Sequence, residues 1–189
     1  MLISGDRLVD VTITKGGDID HVETIRHDGS IMRSTFPKKG PIPHDAVHYI
    51  VEQEIGLNKG FWGMVAQGHS PEAIQDIAKA AGHASASRAE IPEARIVELI
   101  QAERLVECFE ADCWGAPADG ETFRSVAQTA CSYSFVATPE LSDAMIERIR
   151  TRVSALMHDW TQQQEGGKFQ FSWPDYPDTI VGNLPANIM

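Results

Sequence analysis

The chain has 189 residues, 42% of them hydrophobic and 23% charged, a composition that supports one sizeable core and falls short of a clear two-domain length. Its net charge of −11 is spread along the sequence and its basic residues form no stripe, which excludes nucleic acid and anionic membrane surfaces as expected partners. No apolar run approaches the ~20 residues that a membrane span requires.

The N-terminus lacks a basic start followed by an apolar stretch, so export is not expected. The three cysteines, Cys108, Cys113 and Cys131, are an odd number without zinc-like spacing. They read as small buried thiols in a reducing cytoplasm.

In chain order, the first 36 residues read as a β-meander. "RLVDVTITK" places Val9, Val11 and Ile13 on one face at the two-residue period of a strand. "HVETIRHDGSIMRSTF" carries Asp28-Gly29 between two strand-like runs, predicting a two-residue hairpin turn that pairs Ile25 with Met32 and His21 with Phe36. A first helix is expected from Pro43 to about Gly56, then a short turn or helix through "GFWG" (60–63). "SPEAIQDIAKAAG" has Ser70 as cap, Pro71 at the first helical position and Gly82 at the end.

Residues 82–90 are small and polar, a loop. A long helix over 91–114 is apolar around much of its circumference and is expected at the centre of the fold. The next helix starts at an Asp119 cap and buries Phe123, Val126, Ala127 and Ala130. The last starts at a Thr138 cap with Pro139 and buries Met145, Ile149, Val153, Leu156 and Trp160. "KFQFSW" is a final strand expected to rejoin the sheet, and the proline-punctuated tail drapes over the surface.

The informative stretch is "PHDAVHYIVE" (43–52). At 100° per residue, Val47, Ile50 and Val51 form its core face, and His44 and His48 fall together at the edge of that face. Two imidazoles at i and i+4 can present their nitrogens to one metal ion, and the helix N-terminus is expected to lower the pKa of His44 towards the neutral form a metal needs. Glu52 is a third ligand or an acceptor behind an imidazole.

An i,i+4 histidine pair arises by chance about one time in four at this composition, so a pair that merely hydrogen-bonds to neighbouring elements stays open. Glu54 projects into the apolar face, where a carboxylate must be paired, protonated or bound; Lys59 is its nearest cation in sequence. Phe61 and Trp62 sit between Gly60 and Gly63, whose missing side chains permit close approach; they wall a pocket or form a satellite core.

On the long helix, Glu103, Glu107 and Glu110 share a face. Such stripes are usually solvated, but one member facing the first helix would complete a His/His/Glu site. His69 and His83 are further loop candidates for a third ligand. No phosphate-cradling glycine loop or nucleophile elbow occurs.

Pro43, His44, Asp45, His48, Val51 and Glu52, followed by Gly60-Phe61-Trp62-Gly63, resemble a pattern found in hypothetical proteins of bacteria. The resemblance covers about two dozen residues. It implies a bacterial source and no particular activity.

These readings give an α+β fold, one domain over residues 1–189. It comprises the meander (1–36), a helical part (43–165), a final strand (168–173) and an extended tail (174–189). The expected function is a cytosolic protein with a divalent-metal (zinc, manganese or iron) or small-molecule site. His44, His48 and Glu52 are its ligands, Asp45 or Glu52 its proton acceptor, and Phe61, Trp62 and Glu54 line its pocket. As an enzyme it would be a metal-dependent hydrolase with a metal-bound water as nucleophile. The competing expectation is a non-catalytic interaction protein whose helices 91–114 and 138–165 build a homodimer.

Overall fold

Alternation of apolar and polar residues at a period of two builds the sheet. The computed structural model describes residues 8–81 and 92–174; the 82–90 loop with His83, and the tail beyond Pro174, lie outside them. Strands β1 (Leu8–Thr14), β2 (Ile19–Ile25) and β3 (Ile31–Pro37) form an antiparallel meander, and β4 (Lys168–Pro174) pairs antiparallel with β1. The order is β3-β2-β1-β4.

Val9, Val11 and Ile13 are each at most 1% exposed, and Phe171 and Trp173 lie on the same face. Burying a side chain of this size contributes roughly 1.5–3 kcal/mol. That apolar face is what the helices cover.

The β2–β3 turn differs from expectation by one residue. Arg26 N–H donates to the Ser30 carbonyl and Gly29 N–H to the Arg26 carbonyl, so His27-Asp28-Gly29 form a three-residue loop with Gly29 at φ +79°. The Asp28 carboxylate also accepts from Ser30 N–H at 2.8 Å, which favours the longer loop. Ile25 therefore pairs with Ile31, Thr24 with Met32, His21 with Thr35 and Asp20 with Phe36. In this register Thr24 and Val22 face the core, while Ile25 and Ile31 are exposed.

Helix α1 (His44–Ile55) follows Pro43, whose extended ψ of 120° makes it the N-cap, and ends at Gly56 in the left-handed conformation. Helix α2 (Phe61–Ala66) is a short second piece, and α3 (Pro71–Ala80) starts at Ser70, whose side chain accepts from Ala73 N–H as expected. Helix α4 (Val97–Trp114), preceded by a 3₁₀ turn at Ala94–Ile96, packs against α1, α5 (Gly120–Tyr133) and α6 (Asp143–Gln162). It is the central helix.

Helix α5 has the expected Asp119 cap, but its buried stripe is Phe123, Ala127 and Cys131. Val126 is 51% exposed, because α5 packs mainly on α4 and needs only a narrow apolar seam. Helix α6 begins at a Ser142 cap rather than at Thr138, leaving residues 139–141 outside the helix with Leu141 buried in the core. All three cysteines are free, and burial pushes the Cys108 and Cys113 thiols up to about 11.

Helix α1 lies between the sheet and α4. Tyr49 stacks on Phe171 at 3.9 Å between ring centroids, and Trp62 of α2 meets the same ring edge-on at 4.9 Å. The opposite side of α1 carries the histidines towards α4. No helix among the described residues is long and apolar enough to cross a membrane.

Candidate metal centre

One turn of α1 sets His44 edge-on to His48, with ring centroids 4.8 Å apart and planes at 75°. Helix α4 crosses beside them and presents Glu103 and Glu110, two turns apart on one face. Glu107, between them in sequence, is instead half-exposed and paired with Arg104 at 2.8 Å. The stripe of three carboxylates thus divides into two that face helix α1 and one that faces solvent.

Each imidazole is held on its Nδ1 by a different buried carboxylate. His44 Nδ1 lies 3.0 Å from Glu110 Oε1, and His48 Nδ1 lies 2.9 Å from Glu52 Oε1. The Nε2 atoms converge on Glu103 Oε2, at 3.1 Å from His48 and 3.7 Å from His44. The longer distance is no hydrogen bond, and His44 Nε2 is a buried nitrogen without a partner.

His44, His48 and Glu103 each offer a ligand atom, all within 4.8 Å of one another, and so form a cluster capable of chelating a metal ion. Bonds of roughly 2.0–2.2 Å to a tetrahedral ion would set ligand atoms a little over 3 Å apart, close to the two separations from Glu103.

Glu52, expected as a ligand, sits behind one instead. It is fully buried, its Oε1 accepts from Phe61 N–H at 2.9 Å as well as facing His48, and its Oε2 accepts from Trp62 N–H at 3.0 Å. Both oxygens are thereby engaged, and Glu103 occupies the place among the ligand atoms. This seat explains Gly60: a Cβ there would stand 2.5 Å from the Glu52 carboxyl carbon. Gly63 is equally constrained, since a Cβ would meet the Asn58 carbonyl oxygen at 1.9 Å. The glycines of "GFWG" therefore serve close approach.

Trp62 is 1% exposed, and its Nε1–H donates to the Asp45 carbonyl at 2.8 Å, so it braces α1 from within the core rather than lining the cavity. Phe61 does reach the cavity, with its ring 5.8 Å from that of His48.

Glu54 lies elsewhere. It turns to α6, where Arg148 Nε and Arg152 Nη1 reach it at 2.9 and 2.8 Å; Lys59 is not its partner. Burial would raise its pKa, but the two arginines overcome that and hold the carboxyl below its ordinary range. The buried carboxylate anticipated on the apolar face is an interhelical ion pair. His69 is not among the clustered groups.

The electrostatics reverse one expectation. Burial alone would lower the pKa of His44, but the neighbouring Glu103 and Glu110 carboxylates outweigh it and raise the imidazole to about 9. His48 is likewise disfavoured by burial yet raised to about 10 by Glu103 and Glu52. The helix N-terminus is overruled by carboxylates in direct contact.

Glu103, although disfavoured as an anion by burial, is held well below the usual carboxylate range by the two imidazoles. Burial pushes Glu52 up against the pull of His48 and the two amides. It also pushes Asp45 up, against the pull of both imidazoles and of Lys39.

The cluster opens on a cavity of about 400 Å³, and Asp45 lines it together with the two histidines and Glu103. Glu103 and Glu110 carried a weak sequence signal, the shared helix face, with Arg104 beside Glu107 marking the solvated member. The cavity walls from β3 and α3 carried none, because only the tertiary fold brings them to α1. Comparison with protein-family models, curated proteins and solved structures finds no match for this chain.

Proposed function

We propose that the protein binds one divalent transition-metal ion through His44 Nε2, His48 Nε2 and Glu103, and that it is a metal-dependent hydrolase. The observation that carries this reading is the pair of carboxylates behind the imidazoles: Glu110 and Glu52 each fix an Nδ1, so both Nε2 atoms turn towards Glu103. Carboxylate–histidine–metal arrangements have this form, and such outer carboxylates make the ligand more basic. His44 Nε2, a buried nitrogen without a partner, is free to take up a ligand bond.

Two imidazoles and one carboxylate suit zinc at a hydrolytic centre; iron and manganese accept the same donors. An ion there would supply Lewis acidity and lower the pKa of a water molecule. Asp45, which lines the cavity with both imidazoles, would be the proton acceptor there. Glu52 has both oxygens occupied, which leaves Asp45 as the better-placed acceptor.

A helix-mediated homodimer is the competing reading, and it needs apolar surface on α4. Leu99, Ile100, Leu105, Val106 and Phe109 are all buried within the chain itself, and Trp114 at the helix end is the exposed exception.

The test is metal content by mass spectrometry on untagged protein purified without chelator, beside the His44→Ala/His48→Ala variant. Near-stoichiometric metal in the wild type, lost in a variant that keeps its circular dichroism spectrum, is the expected result. Protein that holds no metal and takes up none of added zinc, manganese or iron would overturn the reading.

A further inference from the structure

The metal centre uses only one end of the cavity. Much of the remaining wall is apolar and comes from four elements: Phe36 on β3, Phe61 on α2, Ile74 and Ala78 on α3, and Leu99 on α4. Ile74 and Leu99 also belong to the hydrophobic core, so this wall is fixed by packing. The volume of about 400 Å³ lies within the range of small-molecule sites.

Two ammonium groups, Lys39 and Lys79, and the Gln75 amide also belong to the lining. Lys39 shares the lining with Asp45 and the two histidines. The charges that face the cavity are Lys39, Lys79, His44 and His48 against Asp45 and Glu103. Glu110, Glu52 and Glu103 pair with the imidazoles and Asp76 lies 3.8 Å from Lys79, so Lys39 is the lining cation without an ion pair among the described residues. Glu52 and Glu110 stand behind the rings and do not line the space. An apolar wall ending in an ammonium without an ion-pair partner favours an anionic group at that end. No arginine lines the cavity among the described residues, so the bidentate fork that grips phosphate is missing.

We propose that the cavity binds amphipathic monocarboxylates, an aliphatic or aryl body of medium length ending in one carboxylate. The body lies against Phe36, Phe61, Ile74 and Leu99, and the carboxylate lies towards Lys39 and the His44/His48/Glu103 cluster. The inference rests on the metal reading only for the ion that the carboxylate meets; the apolar wall and Lys39 are independent of it. For a hydrolase, the same class names the acid portion of an ester or amide substrate, or the product left after cleavage.

The experiment is calorimetric titration of octanoate and of octan-1-ol into the full-length protein, both zinc-supplemented and EDTA-treated. The variants Lys39→Ala and Ala78→Phe are titrated in parallel. Lys39 is exposed, so its variant keeps the fold; that of Ala78→Phe is checked by circular dichroism. Octanoate should bind at least about tenfold more tightly than the alcohol. Ala78→Phe, which fills the wall, should weaken octanoate by roughly tenfold, and Lys39→Ala should weaken octanoate several-fold while leaving the alcohol unchanged.

Equal affinity for acid and alcohol, or no octanoate binding in either state, would overturn the inference. Octanoate binding to a protein that takes up no zinc would support it and remove the metal reading instead. Zinc uptake without octanoate binding would do the reverse.

Discussion

Glu52 and Glu110 do the same job for different imidazoles, from different surroundings. Glu52 is wholly buried and saturated by His48 and two backbone amides, whereas Glu110 is hydrogen-bonded to His44 alone among the described residues. Removing the charge of either carboxylate should loosen the imidazole behind which it stands. Glu110→Gln should lower zinc affinity by about 10–100-fold, as outer-shell changes at such centres do, with little change in melting temperature. Glu52→Gln should lower affinity by a similar factor and also destabilise the fold, because one of its oxygens becomes a donor facing an amide donor. Competition against a zinc indicator dye, alongside thermal melts, checks both. Unchanged affinity in both variants would mean that the carboxylates do not support ligands.

At the scale of elements, α1 and α2 are joined through the seat of Glu52 on the Phe61 and Trp62 amides. Gly60→Ala should therefore be far more damaging than its small volume implies. The new methyl carbon must displace either the buried carboxylate or the start of α2, at a cost of about 1–3 kcal/mol for overpacking and more if a hydrogen bond is lost. Chemical denaturation reads the loss, and a stability within about 0.5 kcal/mol of wild type would refute the contact.

The sequence made this brace only half visible. "GFWG" showed that close approach was wanted at residues 60 and 63, but not what approached. The helix starts divide in the same way: Ser70 and Asp119 cap as their spacing implies, whereas Thr138-Pro139 has an equally good local pattern and loses to Ser142 because Leu141 is drawn into the core. The hairpin shift has a similar origin, since Asp28-Gly29 fits a two- or three-residue loop and the Asp28 bond to Ser30 decides between them.

For the whole molecule, titration of the histidines links the site to stability. Their pKa values in the folded protein, about 9 and about 10, lie above the ordinary value of 6.5. The stabilisation is fully present below pH 6.5 and is lost as pH rises through 9 to 10. Metal-free protein should therefore melt at progressively lower temperature between pH 7 and pH 10, a decline that the His44→Ala/His48→Ala variant lacks. Glu103 acts at the other end: held low in the folded state, it contributes above the ordinary carboxylate range and is lost on acidification. A melting temperature of the chelated wild type that is flat from pH 7 to 10 would remove the imidazolium–carboxylate cluster. The α+β architecture itself was legible from two- and 3.6-residue periodicity, because each element buries a contiguous face. Glu103 was legible only as one of three carboxylates on a shared helix face, since it lies 55 residues from His48 and meets it only through the packing of α4 on α1.

The place of β4 in the sheet bears on how the molecule is assembled. Its partner is β1, about 160 residues earlier, so Val11 meets Phe171 only after every helix has been made. Contacts of such sequence separation close late, because loop entropy is lost before they form. Tyr49 of α1 and Trp62 of α2 both rest on Phe171, so the helix that carries the two imidazoles is seated on a surface completed by the final strand. A nascent chain paused before β4 would hold His44 and His48 in sequence but lack the floor that fixes them opposite Glu103.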